Sequence, residues 1–129
     1  MSDIKIRQSM ENLEKALNRL GEALDEANDN ALMIDGTIQR FEFTVELFWK
    51  TLKRSLAAEG IEANSPKETL KQAYAAKWLN DETIWLQMLK DRNETSHVYD
   101  EDKAREIYSH IKAYYKLLQT TYQFLVKKV

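Results

Sequence analysis

Apolar residues recur three and four apart along most of this chain, which is the spacing of one face of an α-helix. Ile6, Met10, Leu13, Leu17, Leu20 and Leu24 draw a narrow seam and predict a first helix from about Asp3 to Ala27. The seam covers fewer than four heptads, so a bundle helix fits it better than a free coiled coil. Asn28-Asp29-Asn30 then supplies three poor helix formers and a turn.

A second helix is predicted from about Met33 to Glu59, stopping at Gly60. Ile38, Phe41, Val45, Phe48, Leu52 and Leu56 form its main stripe, and Phe43, Leu47 and Trp49 widen it. So broad an apolar surface implies a central position, or burial against a second subunit. Ser65-Pro66-Lys67-Glu68 opens a short third helix, with Ser65 as N-cap, Pro66 at the first position and Glu68 as the other half of a capping box. Leu70, Ala73 and Tyr74 are expected to face inward, and the segment to end near Trp78-Leu79. Asn80 or Asp81 caps a fourth helix with Ile84, Trp85, Met88 and Leu89 inward. The last helix starts after Asp100 and runs on Ala104, Ile107, Ile111, Tyr114, Leu118, Thr121 and Leu125, with Lys127-Lys128 at its negative end.

Only three Gly and one Pro interrupt the 129 residues, too few for the turns of a β-rich fold. The expectation is an all-α, antiparallel up-and-down bundle of four to five helices, one domain over residues 1–129. A hydrophobic share of 43% suits a packed core and argues against disorder. Net charge is −2, so any contact with nucleic acid must come from placed residues and not from a general basic field. The absence of cysteine removes disulfides and thiolate metal sites. The N-terminal stretch lacks the apolar centre of a signal peptide, and no apolar run approaches the roughly 20 residues of a membrane span. A cytoplasmic protein with no cofactor and no bound metal is the expectation.

Two histidines occur. His110 falls between Ile107 and Ile111 and reads as a surface or flanking residue. His97 stands apart from the apolar periodicity, five residues after Arg92, in a polar stretch that no core requires. On a continuous helix five residues separate two side chains by about 140°, so Arg92 and His97 would not share a face, whereas Asn93 and His97 would. Either the helix tightens or ends near Thr95-Ser96, or Arg92 and His97 cooperate across a subunit interface.

The stretch Asp91-Arg92-Asn93-Glu94-Thr95-Ser96-His97-Val98-Tyr99 resembles the Arg-x4-His-x-Tyr signature of HEPN domains. More closely, it resembles the branch of nucleotidyltransferase substrate-binding proteins that accompany a minimal nucleotidyltransferase. Arg40-Phe41-Glu42-Phe43, Glu46 to Leu52, Ser65-Pro66 and Trp85 before Met88-Leu89 agree with it in order. The resemblance implies a helical homodimer paired with a nucleotidyltransferase encoded by an adjacent gene, of the toxin–antitoxin kind. It implies Arg92 and His97 as a catalytic pair of a metal-independent ribonuclease, with Asn93 as supporting residue. It also implies Tyr99 as a tyrosine that the partner adenylylates to silence the site. The alternative is a non-catalytic subunit that binds a nucleotide or other substrate and presents it to the partner.

The chemistry is coherent on its own terms. Metal-free RNA cleavage needs a group that moves a proton near neutral pH, which is histidine, and a fixed cation for the phosphate, which is arginine. Plainer roles fit the same residues: Arg92 pairing with Asp91, Glu94 or Asp100, His97 as a helix-end cation, and Tyr99 as a packed aromatic. Lys50, Lys53 and Arg54 share a helix face that fits a phosphate or nucleotide contact, but Glu46 to Lys50 is also a favourable pair on a solvated face. No Gly-rich phosphate loop or carboxylate pair for magnesium occurs, so nucleotidyl transfer is not expected of this chain.

Overall fold

A computed structural model describes residues 2–26, 30–95 and 100–128. Its element order is α1 (Ser2–Asp25), α2 (Ala31–Ala58), α3 (Pro66–Ala75), α4 (Glu82–Thr95) and α5 (Glu101–Lys128). His97 and Tyr99 therefore lie outside the described residues. The all-helical bundle expected from the spacing is what forms, and its boundaries fall within a few residues of the expected ones.

The caps explain where the helices stop. Asn30 accepts from the Met33 amide at 2.9 Å and starts α2. At the other end, Gly60 takes φ +80°, its amide bonds the Ala57 carbonyl, and the Ile61 amide bonds that of Leu56. That double closure needs a left-handed residue, which glycine adopts without strain. Ser65 accepts from the Glu68 amide at 3.1 Å as expected. The Glu68 carboxylate, however, reaches the Asn64 amide at 3.1 Å, one residue earlier than the usual reciprocal bond. α3 ends with the same closure as α2, Lys77 to Tyr74 and Trp78 to Ala73, but with Lys77 at φ +68° in place of glycine. Asp81 and Asp100 cap α4 and α5 through the Ile84 and Lys103 amides.

α2 touches all four other helices, so the central position that its apolar breadth implied is real. One continuous core cluster draws on every helix, with Leu13, Phe41, Phe48, Met88, Ile111 and Leu118 among its fully buried members. Thr37, Thr44 and Thr51 are buried seven apart along α2, and each hydroxyl is satisfied by the carbonyl four residues back at 2.7 Å. These short, internally bonded side chains let neighbouring helices approach without leaving a buried donor unpaired.

Two inward assignments fail. Tyr74 and Ile84 are 43% and 41% exposed. Each lies about 100° around its helix from a buried neighbour, Ala73 and Trp85, and within a turn of the helix end, where no further helix covers it. No helix among the described residues is long and apolar enough to cross a membrane.

Candidate active site

The last turns of α4 carry the site, and a buried carboxylate holds them to α5. Asp91 is 2% exposed and receives three contacts: the Tyr114 hydroxyl at 2.6 Å, the Gln87 amide at 3.0 Å and His110 Nδ1 at 3.1 Å. A buried carboxylate is tolerated only when donors replace its water, and these three do so. Tyr114 in turn stacks on Phe41 of α2, with ring centroids 5.7 Å apart. Burial, then the hydrogen bond to Asp91 and its charge, push the Tyr114 phenol well above its ordinary value. His110 is thus a flanking residue, as the periodicity implied, with one specific task.

With Asp91 turned inward, Arg92 is carried round to the α2 side. Its Nη2 meets Glu46 Oε2 at 3.1 Å, and its Nη1 lies 3.4 Å from the Asn93 side-chain oxygen. Among the described residues, Arg92 Nε is buried without a hydrogen-bond partner. The plainer expectation of a partner at Asp91, Glu94 or Asp100 is not what the structure has: Asp91 is occupied by α5, and Glu94 pairs with Lys103 at 2.9 Å.

Glu46 is the hub on α2. Besides Arg92, it accepts from the Trp49 indole at 3.0 Å and pairs with Lys50 at 3.4 Å. Burial alone would raise its pKa, but the indole bond and the Arg92 and Lys50 charges outweigh that and hold it below the ordinary value. Trp49, expected as packing, is only half-buried and belongs to this polar cluster. Glu46, Lys50, Phe43 and Arg92 line an open pocket of about 380 Å³. Lys50 is thereby brought beside Arg92. Lys53 and Arg54 do not line that pocket, and Arg54 instead donates to the Ser9 hydroxyl of α1.

Chemically, the pocket presents the Arg92 guanidinium, the Lys50 ammonium and the exposed Phe43 ring beside the carboxylates of Glu42 and Glu46, and the two cations suit a phosphate-bearing ligand. Sequence reasoning paired Glu46 with Lys50 one turn away, and that pair forms. The role of Glu46 as counter-ion to Arg92 depends on a contact between residues 46 positions apart, which no local spacing encodes. Among the described residues no group of His, Cys, Asp and Glu has the geometry of a metal site.

The fold and site define an all-helical bundle with Arg92 in a polar pocket at the end of α4. Residues 8–127 match the family described as nucleotidyltransferase substrate binding protein like, and the chain belongs to that family. It is 36% identical over 84 residues to a probable ribonuclease, HepT, of Haemophilus influenzae, a match spanning 61% of this chain and 58% of that relative. The crystal structure of ttk003001694 from Thermus thermophilus superposes with a TM-score of 0.79 at 37% identity, covering 84% of this chain and 94% of that one. HI0074 of Haemophilus influenzae, described as having the fold of a substrate-binding domain of a nucleotidyltransferase, superposes with a TM-score of 0.66 at 25% identity. That match covers 95% of this chain and 97% of the other.

Proposed function

We propose that this chain is the HEPN subunit of a two-protein system with a minimal nucleotidyltransferase, and that it cleaves RNA without a metal using Arg92 and His97. The observation that carries the reading is the state of Arg92. Its side chain is 28% exposed, held by Glu46 in an open pocket, and keeps a donor unpaired among the described residues, five positions before a histidine. The relative named as a probable ribonuclease supports it.

In this reaction the RNA's own 2′-hydroxyl attacks the adjacent phosphorus and the bond to the 5′ oxygen breaks. The products are a 2′,3′-cyclic phosphate and a free 5′-hydroxyl, so a proton leaves one oxygen and a proton reaches the other. His97 supplies that transfer near neutral pH, and Arg92 neutralises the charge growing on the phosphate oxygens. Asn93 supports the guanidinium from the next position. The chain acts as a homodimer, and its nucleotidyltransferase silences it by adding a nucleotide monophosphate to Tyr99. The new phosphate then pairs with Arg92 and withdraws it from RNA.

The family description and the fold ascribed to HI0074 favour one second reading, a subunit that binds substrate for the nucleotidyltransferase without cutting RNA. Incubating the purified protein with RNA in chelator separates the two. Cyclic-phosphate ends that disappear in Arg92→Ala and in His97→Ala, with helical circular dichroism retained, are the expected result. Unaltered RNA together with His97-dependent nucleotide binding establishes the second reading instead. Intact-mass spectrometry after co-expression with the partner tests Tyr99, and Tyr99→Phe escapes the added mass. Sedimentation at micromolar concentration tests the dimer.

A further inference from the structure

A second and larger groove of about 690 Å³ lies between α1 and α2 and shares Phe43 with the Arg92 pocket. Lys15 and Arg19 stand on the α1 wall and Arg40 on the α2 wall, and among the described residues no carboxylate lines it. In a chain of net charge −2, three cations facing one another without an acid between them are a local exception. The Arg40 guanidinium is steadied by a 2.7 Å bond from one nitrogen to the Arg19 carbonyl, which uses one of its five donors.

Two further features call for an occupant. Gly36 sits inside α2 on this groove, where glycine weakens a helix, yet a Cβ placed there meets nothing within 4 Å. The fold itself therefore has no packing reason for the glycine, and its effect is to keep the groove wide. Phe43 is 66% exposed between the two depressions and lines both, together with Leu47. The path from Gly36 to Leu47 follows about 16 Å of helix, enough for roughly four or five stacked nucleotides.

We propose that this groove is a binding site for single-stranded RNA, holding the strand that leads into the Arg92 pocket, with phosphates along Lys15, Arg19 and Arg40 and a base stacked on Phe43. The proposal rests on RNA being the substrate of the Arg92 site, and it adds where the strand lies and which residues grip it. Cations on both walls with one open aromatic are the two elements that bind single strands without regard to sequence. A protein partner would leave the opposed cations needing a matched set of acids, whereas a polyanion of even spacing satisfies them along its length.

The test uses the full-length protein carrying His97→Ala, so that cleavage does not confuse binding, and a labelled single-stranded RNA of about a dozen nucleotides. Lys15→Gln with Arg19→Gln is expected to weaken binding about tenfold and to reduce the slope of log K against log salt by about 1.4, two phosphates at roughly 0.7 each. Phe43→Leu is expected to weaken binding at least fivefold with the salt slope unchanged. Gly36→Glu gives the sharpest contrast: a better helix former with a negative charge raises the melting temperature while lowering RNA affinity.

If these variants bind RNA as the parent does, the groove is not the RNA site, even where Arg92-dependent cleavage is found in the unblocked protein. If the groove variants lose RNA but no cleavage is ever detected, the groove stands and the ribonuclease reading falls. Variants that keep RNA affinity but convert a dimer to a monomer, or lose the nucleotidyltransferase, assign the face to a protein contact and overturn the proposal.

Discussion

The Tyr114 hydroxyl donates to the buried carboxylate of Asp91 at 2.6 Å, one residue before the arginine on which the candidate site depends. α5 thereby fixes the rotation of α4, and that rotation sends Arg92 towards α2. Asp91→Asn and Tyr114→Phe are expected to destabilise the fold, the phenylalanine change by about 1.5–3 kcal/mol, the range for a hydrogen bond to a charged group. Urea unfolding with an unchanged m-value would attribute the loss to stability alone.

The same bond sets an alkaline limit. The folded Tyr114 phenol titrates above its ordinary value near 10, so its contribution is complete below that pH and is lost as pH rises through and beyond it. Melting temperature should decline above about pH 10, and less steeply in Tyr114→Phe. An identical decline in both proteins would place the alkaline sensitivity elsewhere.

Glu46 competes with any anionic ligand for Arg92. Removing its charge in Glu46→Gln should tighten RNA binding in the His97→Ala background by about two- to fivefold, the scale of a partly exposed ion pair. On the acid side, the Glu46 carboxyl is held below its ordinary value, so its stabilising contribution is present above pH 4.5 and fades as pH falls below it. A thermal titration from pH 6 to pH 3 should show Glu46→Gln converging on the parent at the acid end.

Backbone conformation yields a third set of changes. Lys77 holds a left-handed conformation that costs roughly 1–2 kcal/mol for a residue with a Cβ, so Lys77→Gly should recover part of that. Gly36→Ala meets no obstruction and should stabilise by about 0.5–1 kcal/mol. Gly21→Ala should gain less or lose, because its methyl would run into the Tyr115 ring and hydroxyl where α1 meets α5. Thermal melts that rank Gly21→Ala above Gly36→Ala would contradict this packing.

Most of the architecture was legible in the sequence because it is written locally. Seams at helical spacing gave the five helices, and Asn30, Gly60, Ser65, Asp81 and Asp100 marked their ends. Lys77 was not legible, since nothing about lysine announces a left-handed closure. Tyr74 and Ile84 were misplaced because periodicity assigns a face but not whether another helix covers it so near an end. At the site, the resemblance to HEPN domains singled out Arg92, but its partner Glu46 and the clamp of Asp91 by Tyr114 and His110 join helices far apart in sequence. The opposed cations Lys15, Arg19 and Arg40 escaped for the same reason: they lie on two helices, and only their packing makes them a group.

The three tryptophans sit in three unlike surroundings, and this gives the protein its own set of optical reporters. Trp85 is 2% exposed with its ring 5.0 Å from that of Phe48, and so reports on the core. Trp78 lies under the Lys128 ammonium, 4.9 Å from its ring centroid, at the end of α5 opposite the site. α5 extends about 40 Å from Asp100 to Lys128, so that indole senses the remote end of the rod. Trp49 alone is bonded to the carboxylate that holds Arg92. Emission from a variant keeping only Trp49 will therefore follow a ligand that displaces Glu46, while one keeping only Trp78 stays silent until the bundle itself opens.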